Sequence, residues 1–322
     1  MASALDREGR ALTGRTPTPP PAAPRWRPRL RARQTGFAYA LLVPALVLVA
    51  VLLAYPLYIA VQLSLRDAQT FSLTQLSEAP LTLRHYREVL GDTAWVADLW
   101  RSAVYTFGVT VPAFGIGLGL ALLLNRAFPG RRVLRPLVLL PWAVPSIVVS
   151  AMFAWMLDSS FGVINYLLRS SGLIAENIGW FTNRDTAMVG VLIPTVWKYY
   201  PFFTLVLLAA LQSVPGDLYE AARVDGASAR AQFRFVTWPA IRSAAVLALI
   251  IAGLGVFREF DFIFPLTGGG PLDATRTLAV RIYNEAFQFF NMGPAAAIGV
   301  LTIGIAALVV LAMGRTMRRE FF

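Results

Sequence analysis

Residues 215–239 read PGDLYEAARVDGASARAQFRFVTWP and lie between two long apolar stretches, 187–211 and 243–266. The segment is polar enough to lie in water. Each flanking stretch is long enough to cross a hydrocarbon core of about 30 Å as a helix. A polar connection between two such stretches indicates that the chain leaves the membrane, folds briefly at its surface and enters it again. The segment therefore predicts a membrane protein with a structured surface loop at 212–242.

The composition of the whole chain agrees with this interpretation. Of its 322 residues 57% are apolar and 15% are charged, against roughly 25% charged in soluble domains. Mean hydropathy is +0.59. Four further apolar stretches are long enough to cross the membrane, at 37–65, 102–124, 133–157 and 294–313. Because backbone groups in lipid must bond within the segment, the prediction is an all-α polytopic protein of six continuous transmembrane helices.

The distribution of arginine predicts the orientation of the chain. The tail 1–36, the turn 126–135, the loop 212–242 and the tail after 314 carry nineteen arginines, and the loops on the other side carry eight. Cytoplasmic loops are enriched in basic residues, so both termini and the 212–242 loop are expected in the cytoplasm. The arginines in the tails and loops beside the apolar stretches explain the net charge of +11. No basic stripe with interleaved aromatics indicates nucleic-acid binding.

Cysteine and histidine content excludes several kinds of site. The chain has no cysteine and one histidine, His85, so no disulfide framework, thiolate chemistry or His/Cys metal centre is predicted. Leu83, Tyr86, Val89 and Leu90 recur at helical spacing and predict a short amphipathic helix at the outer surface. His85 on this helix is expected to be solvated.

The 212–242 loop has the local signals of two capped helices. Asp217 is expected to cap the first helix, with Glu220 three residues later completing a capping box. Gly226 is expected to end that helix in a left-handed conformation. Ser228 is expected to cap the second helix, and Pro239 to begin the fifth span, where no backbone donor is needed.

The loop resembles the EAA loop of permease subunits in binding-protein-dependent ABC importers. That pattern is Glu-Ala-Ala, three residues, Gly, nine residues, then Ile-x-Leu-Pro. Val236 and Trp238 replace the Ile and Leu of the pattern, a mild change and a bulkier one. The positions that match at the right spacing are Glu220, Ala221, Ala222, Gly226 and Pro239.

The resemblance implies a type I ABC importer permease fold with cytoplasmic termini, in the cytoplasmic (inner) membrane of a bacterium or archaeon. It implies that the helix carrying Glu220, with Asp225 near its end, docks on an ATPase subunit dimer. The other implied partners are a second six-span permease subunit, an extracytoplasmic solute-binding protein and the lipid bilayer. The sequence contains no phosphate-binding loop. ATP and Mg are therefore expected on the partner ATPase, with no cofactor or metal on this chain.

Three further stretches are similar to the permeases of maltose, trehalose and glycerol-3-phosphate systems: residues 161–168, Trp197 and residues 260–271. This similarity implies a sugar as solute, such as the disaccharides maltose or trehalose or an oligosaccharide. Charged residues at membrane depth are functional candidates, and aromatic rings beside hydrogen-bonding groups suit a sugar. The candidate substrate-path residues are Trp197, Lys198, Tyr199, Tyr200, Glu259, Asp261 and Asn165.

Alternatives remain open for these residues and for the function. The aromatic residues can serve helix packing, and Lys198 can pair with Glu259 or Asp261. Glycerol-3-phosphate or another non-sugar solute is the alternative within the family. A self-sufficient secondary transporter would need internal repeats and buried acids, and no residue set of a membrane enzyme is evident. The predicted domains are a disordered Arg/Pro-rich tail at 1–36, a permease domain at 37–315 and a short tail at 316–322.

Overall fold

The computed structural model of the protein describes residues 28–67 and 78–321. The predicted disordered tail therefore lies, for residues 1–27, outside the described part. The described residues form two compact units, one ending at Pro56 and the other beginning at Leu57. In the first unit, helix α1 (Pro28–Val49) is followed by a π-helical turn, Ala50–Ala54. Leu41, Leu46 and Leu53 in this unit are exposed, and apolar side chains at this density require lipid or another protein around them.

From Tyr55, just before the boundary between the two units, the described chain is built of helices. They are α2 (Tyr55–Ser64), α3 (Arg84–Gly91), α4 (Thr93–Asn125), α5 (Arg131–Ala143), α6 (Ser146–Met156), α7 (Val163–Ser170), α8 (Arg184–Gln212), α9 (Gly216–Val224), α10 (Ala229–Gln232), α11 (Trp238–Phe257), α12 (Ile263–Thr267), α13 (Leu278–Tyr283) and α14 (Met292–Phe321). Two further π-helical turns, Phe233–Thr237 and Asn284–Gln288, follow α10 and α13.

The helices long and apolar enough to cross a membrane confirm the all-α, polytopic prediction. Five are uninterrupted: Leu41–Ser64, Thr93–Asn125, Arg184–Gln212, Ala229–Phe257 and Met292–Gly314. The pair α5 and α6, which is bent by 95°, makes a sixth crossing when the two helices are counted as one span. Within the described residues the only β-type pairing is an isolated bridge between Arg66 and Leu81.

The prediction of a continuous helix at 133–157 is wrong, because α5 and α6 are separated at Val144 and Pro145. Proline disfavours the helical conformation of the residue before it and has no N–H to donate. Val144 accordingly has the extended values φ −75° and ψ 132°. The break therefore exposes backbone carbonyls at the C-terminal end of α5, and these need donors from elsewhere.

The predicted limits of the fifth span, 243–266, also need correction. The helical path begins at Ala229, passes through the π-helical turn Phe233–Thr237 and ends at Phe257. Pro239 therefore lies one residue inside α11 rather than at the start of a separate span. At the wider turn the Trp238 N–H bonds to Phe233 O, five residues back. Pro239 follows directly and has no N–H to donate. A single wide turn of this kind inside an α-helical path is a π-bulge.

Helix α3 also differs from its prediction. His85 is buried rather than solvated, and its Nε2 lies 3.1 Å from the backbone oxygen of Arg66. Gly293, at the start of α14, lies so close to the imidazole that a Cβ there would collide with the ring. Val89 is buried as expected, whereas Leu83 and Leu90 are exposed. The helix therefore packs on α14 through a face that keeps Tyr86 and Val89 of the predicted set, adds His85, and leaves out Leu83 and Leu90.

The centre of the second unit is the packing of α4 against α8. Tyr105 of α4 and Thr195 of α8 share a buried hydrogen bond of 2.7 Å between their hydroxyl oxygens. Near the other end, Gly117 faces Phe203 so closely that an added Cβ would lie 2.5 Å from the Cβ of Phe203. Small residues allow transmembrane helices to approach in this way. These contacts make the α4–α8 pair a rigid base for the residues of the site.

Replacement of Gly117 by leucine is expected to destabilise the protein strongly. The side chain would overlap Phe203 and the backbone of Tyr200, and overpacking of this kind costs at least about 1–3 kcal/mol. Gly119→Leu is the matched control, because a Cβ at Gly119 meets nothing within 4 Å. Thermal unfolding of both variants in detergent measures the difference. Equal melting temperatures would contradict the close approach of α4 and α8.

Candidate functional site

The surface loop begins with α9, and its start differs from the prediction. The helix begins at Gly216 with Pro215 in the N-cap position and no side-chain cap. Asp217 therefore lies inside the first helical turn, and the expected capping box with Glu220 does not form. Proline supplies the extended conformation that precedes a helix, so Pro215 starts the helix earlier than expected. Asp217 still favours the helix, because its charge complements the N-terminal end of the dipole.

The end of α9 confirms the prediction for Gly226. This residue has φ +77°, in the left-handed region. The Ala227 N–H donates to Ala222 O at 2.9 Å, and the Gly226 N–H donates to Arg223 O at 3.1 Å. These two bonds form a Schellman motif, which stops the helix sharply. Ser228 then caps α10 as predicted, since its Oγ accepts from Ala231 N at 3.3 Å.

The loop presents a free surface on one side and is anchored on the other. The Tyr219 hydroxyl lies 3.1 Å from Thr237 Oγ1 and so joins α9 to the π-helical turn before α11. The Glu220 side chain is 72% exposed and its ion pair with Arg223 is long, at 3.8 Å. Ala221 and Asp225 are exposed, while Ala222 is half-buried. The exposed side of α9 is thus available to a partner, and the half-buried side with Tyr219 connects directly to a transmembrane helix.

A second feature is a cavity of about 190 Å³ among α5, α6, α8 and α11. Three of the predicted substrate-path residues, Lys198, Tyr199 and Glu259, line it together. The remaining lining residues are Trp142, Ser146, Phe202, Ile251 and Ala252. The cavity combines aromatic rings, hydroxyl groups and charged groups. It is smaller than the ~300–1,000 Å³ of typical small-molecule sites, so in this chain alone it can hold only part of a disaccharide.

The alternative that Lys198 forms an ion pair with Glu259 or Asp261 is wrong, because its ammonium group bonds to two backbone carbonyls instead. Its Nζ donates to Trp142 O at 2.9 Å and also to Val144 O. Both carbonyls lie at the break between α5 and α6, where the helix has no N–H groups to offer them. The ammonium group therefore stabilises the bend of the third crossing. It does so from the wall of the cavity, so it remains close to any solute there.

Glu259 is held at the cavity by hydrogen bonds. The Tyr199 hydroxyl donates to Oε2 at 3.0 Å. The backbone N–H groups of Phe260 and Asp261 donate to Oε1 at 3.2 and 3.0 Å. Burial raises the pKa of the Glu259 carboxyl, and the bonds from Tyr199 and Asp261 oppose that rise. The carboxyl thus has a fixed position, where it can accept a hydrogen bond from a solute hydroxyl.

The other predicted path residues do not line this cavity. Trp197 packs on Phe153, with ring centroids 5.7 Å apart, and Tyr200 is half-buried on α8. Asp261 has an exposed side chain, and its backbone oxygen accepts from Ser150 Oγ at 2.9 Å.

Asn165 is buried and all its polar atoms are bonded in this structure. Its amide nitrogen donates to the backbone oxygens of Asp158 and Ile178 at 3.2 and 3.0 Å. Its amide oxygen accepts from Ile178 N and Trp180 Nε1 at 3.1 and 3.2 Å. An amide can donate two bonds and accept two, so here Asn165 connects the segments around α7.

Sequence reasoning missed a buried ion cluster around Asp98. The Asp98 side chain is fully buried and accepts from Arg101, Arg276 and Arg281 at 2.8, 3.1 and 3.1 Å. Arg281 also pairs with Asp92 at 2.5 Å. Although burial raises the pKa of Asp92, the bonds from Ala94 N and Arg281 lower it on balance. The signal was present, because Trp95, Asp98, Ser102 and Tyr105 recur on one helical face. An acid on a buried face requires basic partners.

Comparison with known proteins agrees with these features. Residues 113–320 match the family described as binding-protein-dependent transport system inner membrane component. The chain is 35% identical over 301 residues to a trehalose/maltose transport system permease protein of Thermococcus litoralis, covering 90% of this chain and 97% of that protein. It is 33% identical over 301 residues to a sulfoquinovosyl glycerol transport system permease protein of Agrobacterium fabrum, covering 92% and 95%.

A solved structure of a bacterial ABC transporter involved in the import of the acidic polysaccharide alginate contains a chain with the same fold. It superposes with a TM-score of 0.78 at 22% identity, over 92% of this chain and all of that one. At this identity the likeness concerns the fold alone. The family match and the two relatives carry the assignment, and they agree with the all-α architecture of several membrane-spanning helices and with the loop at Glu220. The chain therefore belongs to the family of inner membrane permease components of binding-protein-dependent ABC transport systems.

Proposed function

We propose that this chain is one of two permease subunits of an ATP-driven importer of a sugar, with a disaccharide such as maltose or trehalose as the expected solute. The observation that carries this proposal is the 35% identity, over nearly the whole of both chains, to a trehalose/maltose permease. The cavity beside Tyr199 and Glu259 supports it. An aromatic ring and a hydrogen-bonded carboxyl suit the apolar faces and hydroxyl edges of a sugar.

The mechanism we propose is alternating access driven from the surface loop. An ATPase dimer binds ATP and Mg and closes, and the helix carrying Glu220, Ala221, Ala222 and Asp225 moves with it. Because Tyr219 bonds to Thr237 and the chain continues helically from there through α11, this motion reaches Ile251 and Ala252 on the cavity wall. The second permease subunit completes the path for the solute.

The orientation and domain limits belong to the same proposal. We place the loop and both termini in the cytoplasm of a bacterium or archaeon, with the permease domain at 37–315 and tails at 1–36 and 316–322. The arginine distribution supports this orientation. An extracytoplasmic binding protein then delivers the solute to the opposite face, where α7 and the loop before α13 lie.

A phosphorylated solute such as glycerol-3-phosphate is the alternative within the family. It would need a free cation in the path. Lys198 is the cation of the described cavity, and two of its three protons are donated to backbone carbonyls. This arrangement favours a neutral polyhydroxylated solute over a phosphate ester.

Uptake by the purified complex in vesicles tests the proposal. The chain is expected to co-purify with an ATPase and a second six-span subunit when it is expressed with its neighbouring genes. Labelled trehalose or maltose is expected to accumulate only with ATP inside and binding protein outside. Accumulation of glycerol-3-phosphate but no sugar would overturn the sugar assignment. Transport by the isolated chain, driven by an ion gradient, would instead indicate a secondary transporter.

A further inference from the structure

The backbone carbonyl of Asp261 lacks the donor that the helical turn around it would normally give. The Phe264 N–H donates to Phe260 O at 3.0 Å, so the chain is helical here and the next bond would run from residue 265 to Asp261 O. Residue 265 is Pro265, which has no N–H. Ser150 of α6 supplies the donor instead, with its Oγ 2.9 Å from the Asp261 oxygen.

The bond to Asp261 is the contact that depends on the Ser150 hydroxyl. Ser150 is buried, and its Oγ also lies 3.0 Å from Ser146 O in the preceding turn. In an α-helix the Ser146 carbonyl accepts from the N–H of Ser150, so it has a donor without the hydroxyl. Loss of the hydroxyl is therefore expected to release Asp261 from α6 and to leave α6 itself helical.

The residue after Asp261 packs on the same helix. Phe262 is completely buried, and it belongs to one hydrophobic cluster with Val149 and Phe153 of α6. The segment 261–262 is thus joined to α6 by a hydrogen bond from one residue and by apolar packing of the next. The segment should therefore follow any change in the direction of α6.

The same segment holds Glu259 at the cavity. Its Oε1 accepts from the backbone N–H groups of Phe260 and Asp261 at 3.2 and 3.0 Å. Glu259 lines the cavity together with Ser146, the first residue of α6. Because α6 is the second arm of the crossing that is bent by 95°, the bend and the carboxyl group are connected through Asp261.

We propose that Ser150 is a positioning residue for the solute site. Its hydroxyl fastens Asp261 to α6 and so keeps the Glu259 carboxyl where it accepts a hydrogen bond from a sugar hydroxyl. This inference rests on the proposed function, since a solute hydroxyl is the partner of Glu259. A ligand shifts a conformational equilibrium only through different affinities for the two states. The connection through Ser150 gives the solute such a difference, because the bent form alone places the carboxyl correctly.

Equilibrium binding of labelled trehalose to the purified transporter complex in lipid nanodiscs, without binding protein, tests the proposal. Ser150→Ala is expected to weaken binding about tenfold, as the loss of one buried hydrogen bond predicts. Glu259→Ala is expected to weaken it at least as much. The double variant should bind no more weakly than Glu259→Ala alone, because the hydroxyl acts through that carboxyl. Thr302→Val is the matched control, since the buried Thr302 hydroxyl bonds to Ile298 O within its own helix.

Hydrogen exchange of the peptide that spans residues 258–264 tests the same connection without a solute. In Ser150→Ala the amides of Phe260 and Asp261, which donate to Glu259, are expected to exchange about tenfold faster. The Thr302→Val control should exchange at the unmodified rate. If Ser150→Ala does not assemble, Ser150→Cys provides a weaker donor of similar size and should show smaller changes in the same directions.

Three outcomes would overturn the proposal. Additive losses of affinity in the double variant would show that Ser150 does not act through Glu259. Unchanged exchange in Ser150→Ala would show that the hydroxyl does not hold the segment. Pro265→Ala offers Asp261 O a local N–H, and recovery of binding when it is added to Ser150→Ala would show that the attachment to α6 is not needed. If the unmodified complex binds neither trehalose nor maltose but the exchange rises as expected, the sugar assignment fails and the positioning of Glu259 is supported.

Discussion

Replacement of Glu220 by alanine should abolish ATP-driven uptake while the chain still inserts in the membrane. In the folded chain the Glu220 side chain is 72% exposed, and the ion pair that it forms with Arg223 spans 3.8 Å. Exposed pairs of this kind contribute about 0–1 kcal/mol, so the fold should not suffer. Across an interface, truncation of a buried charged partner costs about 2–5 kcal/mol. Uptake should therefore fall by more than about tenfold.

The measurement compares uptake, ATPase activity and subunit composition in one preparation. Asp217→Asn is the matched control, because Asp217 is an exposed acid on the same helix but is not part of the Glu-Ala-Ala match. The control should transport at the normal rate. Normal uptake by Glu220→Ala in an intact complex would contradict the proposal that α9 couples the ATPase to the transmembrane helices. An equal loss in both variants would indicate a general charge effect.

Replacement of Lys198 by methionine should reduce transport about tenfold through the bend of the third crossing. Methionine keeps the length of the side chain but removes the donors to Trp142 O and Val144 O. Hydrogen bonds from a charged group contribute about 1.5–3 kcal/mol each. A loss of this size changes the ratio of molecules with and without the 95° bend between α5 and α6 by about tenfold. The maximal rate of uptake and the melting temperature should both fall.

The preference between two sugars distinguishes this structural effect from loss of solute contact. If Lys198 acts through the bend, trehalose and maltose uptake should fall by the same factor. Tyr199→Phe is the comparison variant, because it removes a bond to Glu259 in the same cavity and leaves the bend intact. A change of preference in Lys198→Met with an unchanged melting temperature would show instead that the ammonium group binds the solute directly.

The features that the sequence predicted correctly are those encoded within a few residues of chain. The crossings are predictable because the hydrocarbon core demands a length of apolar helix, and this length is visible in the chain itself. The left-handed end of α9 at Gly226 and the cap at Ser228 are equally local, since each depends on backbone groups within five residues. The start of α9 at Gly216 was not predicted, because Pro215 and Asp217 can each occupy the N-cap position and the sequence offers both.

Contacts between distant parts of the chain were decided by the tertiary structure alone. Lys198 bonds to carbonyls more than fifty residues away, so its partners could not be chosen from its neighbours. Asp98 meets Arg276 and Arg281 only after the eight helices of the intervening chain, α5 to α12, have packed. Apolar length and helix caps are properties of a segment, whereas the partner of a buried charge is a property of the packed helices around it.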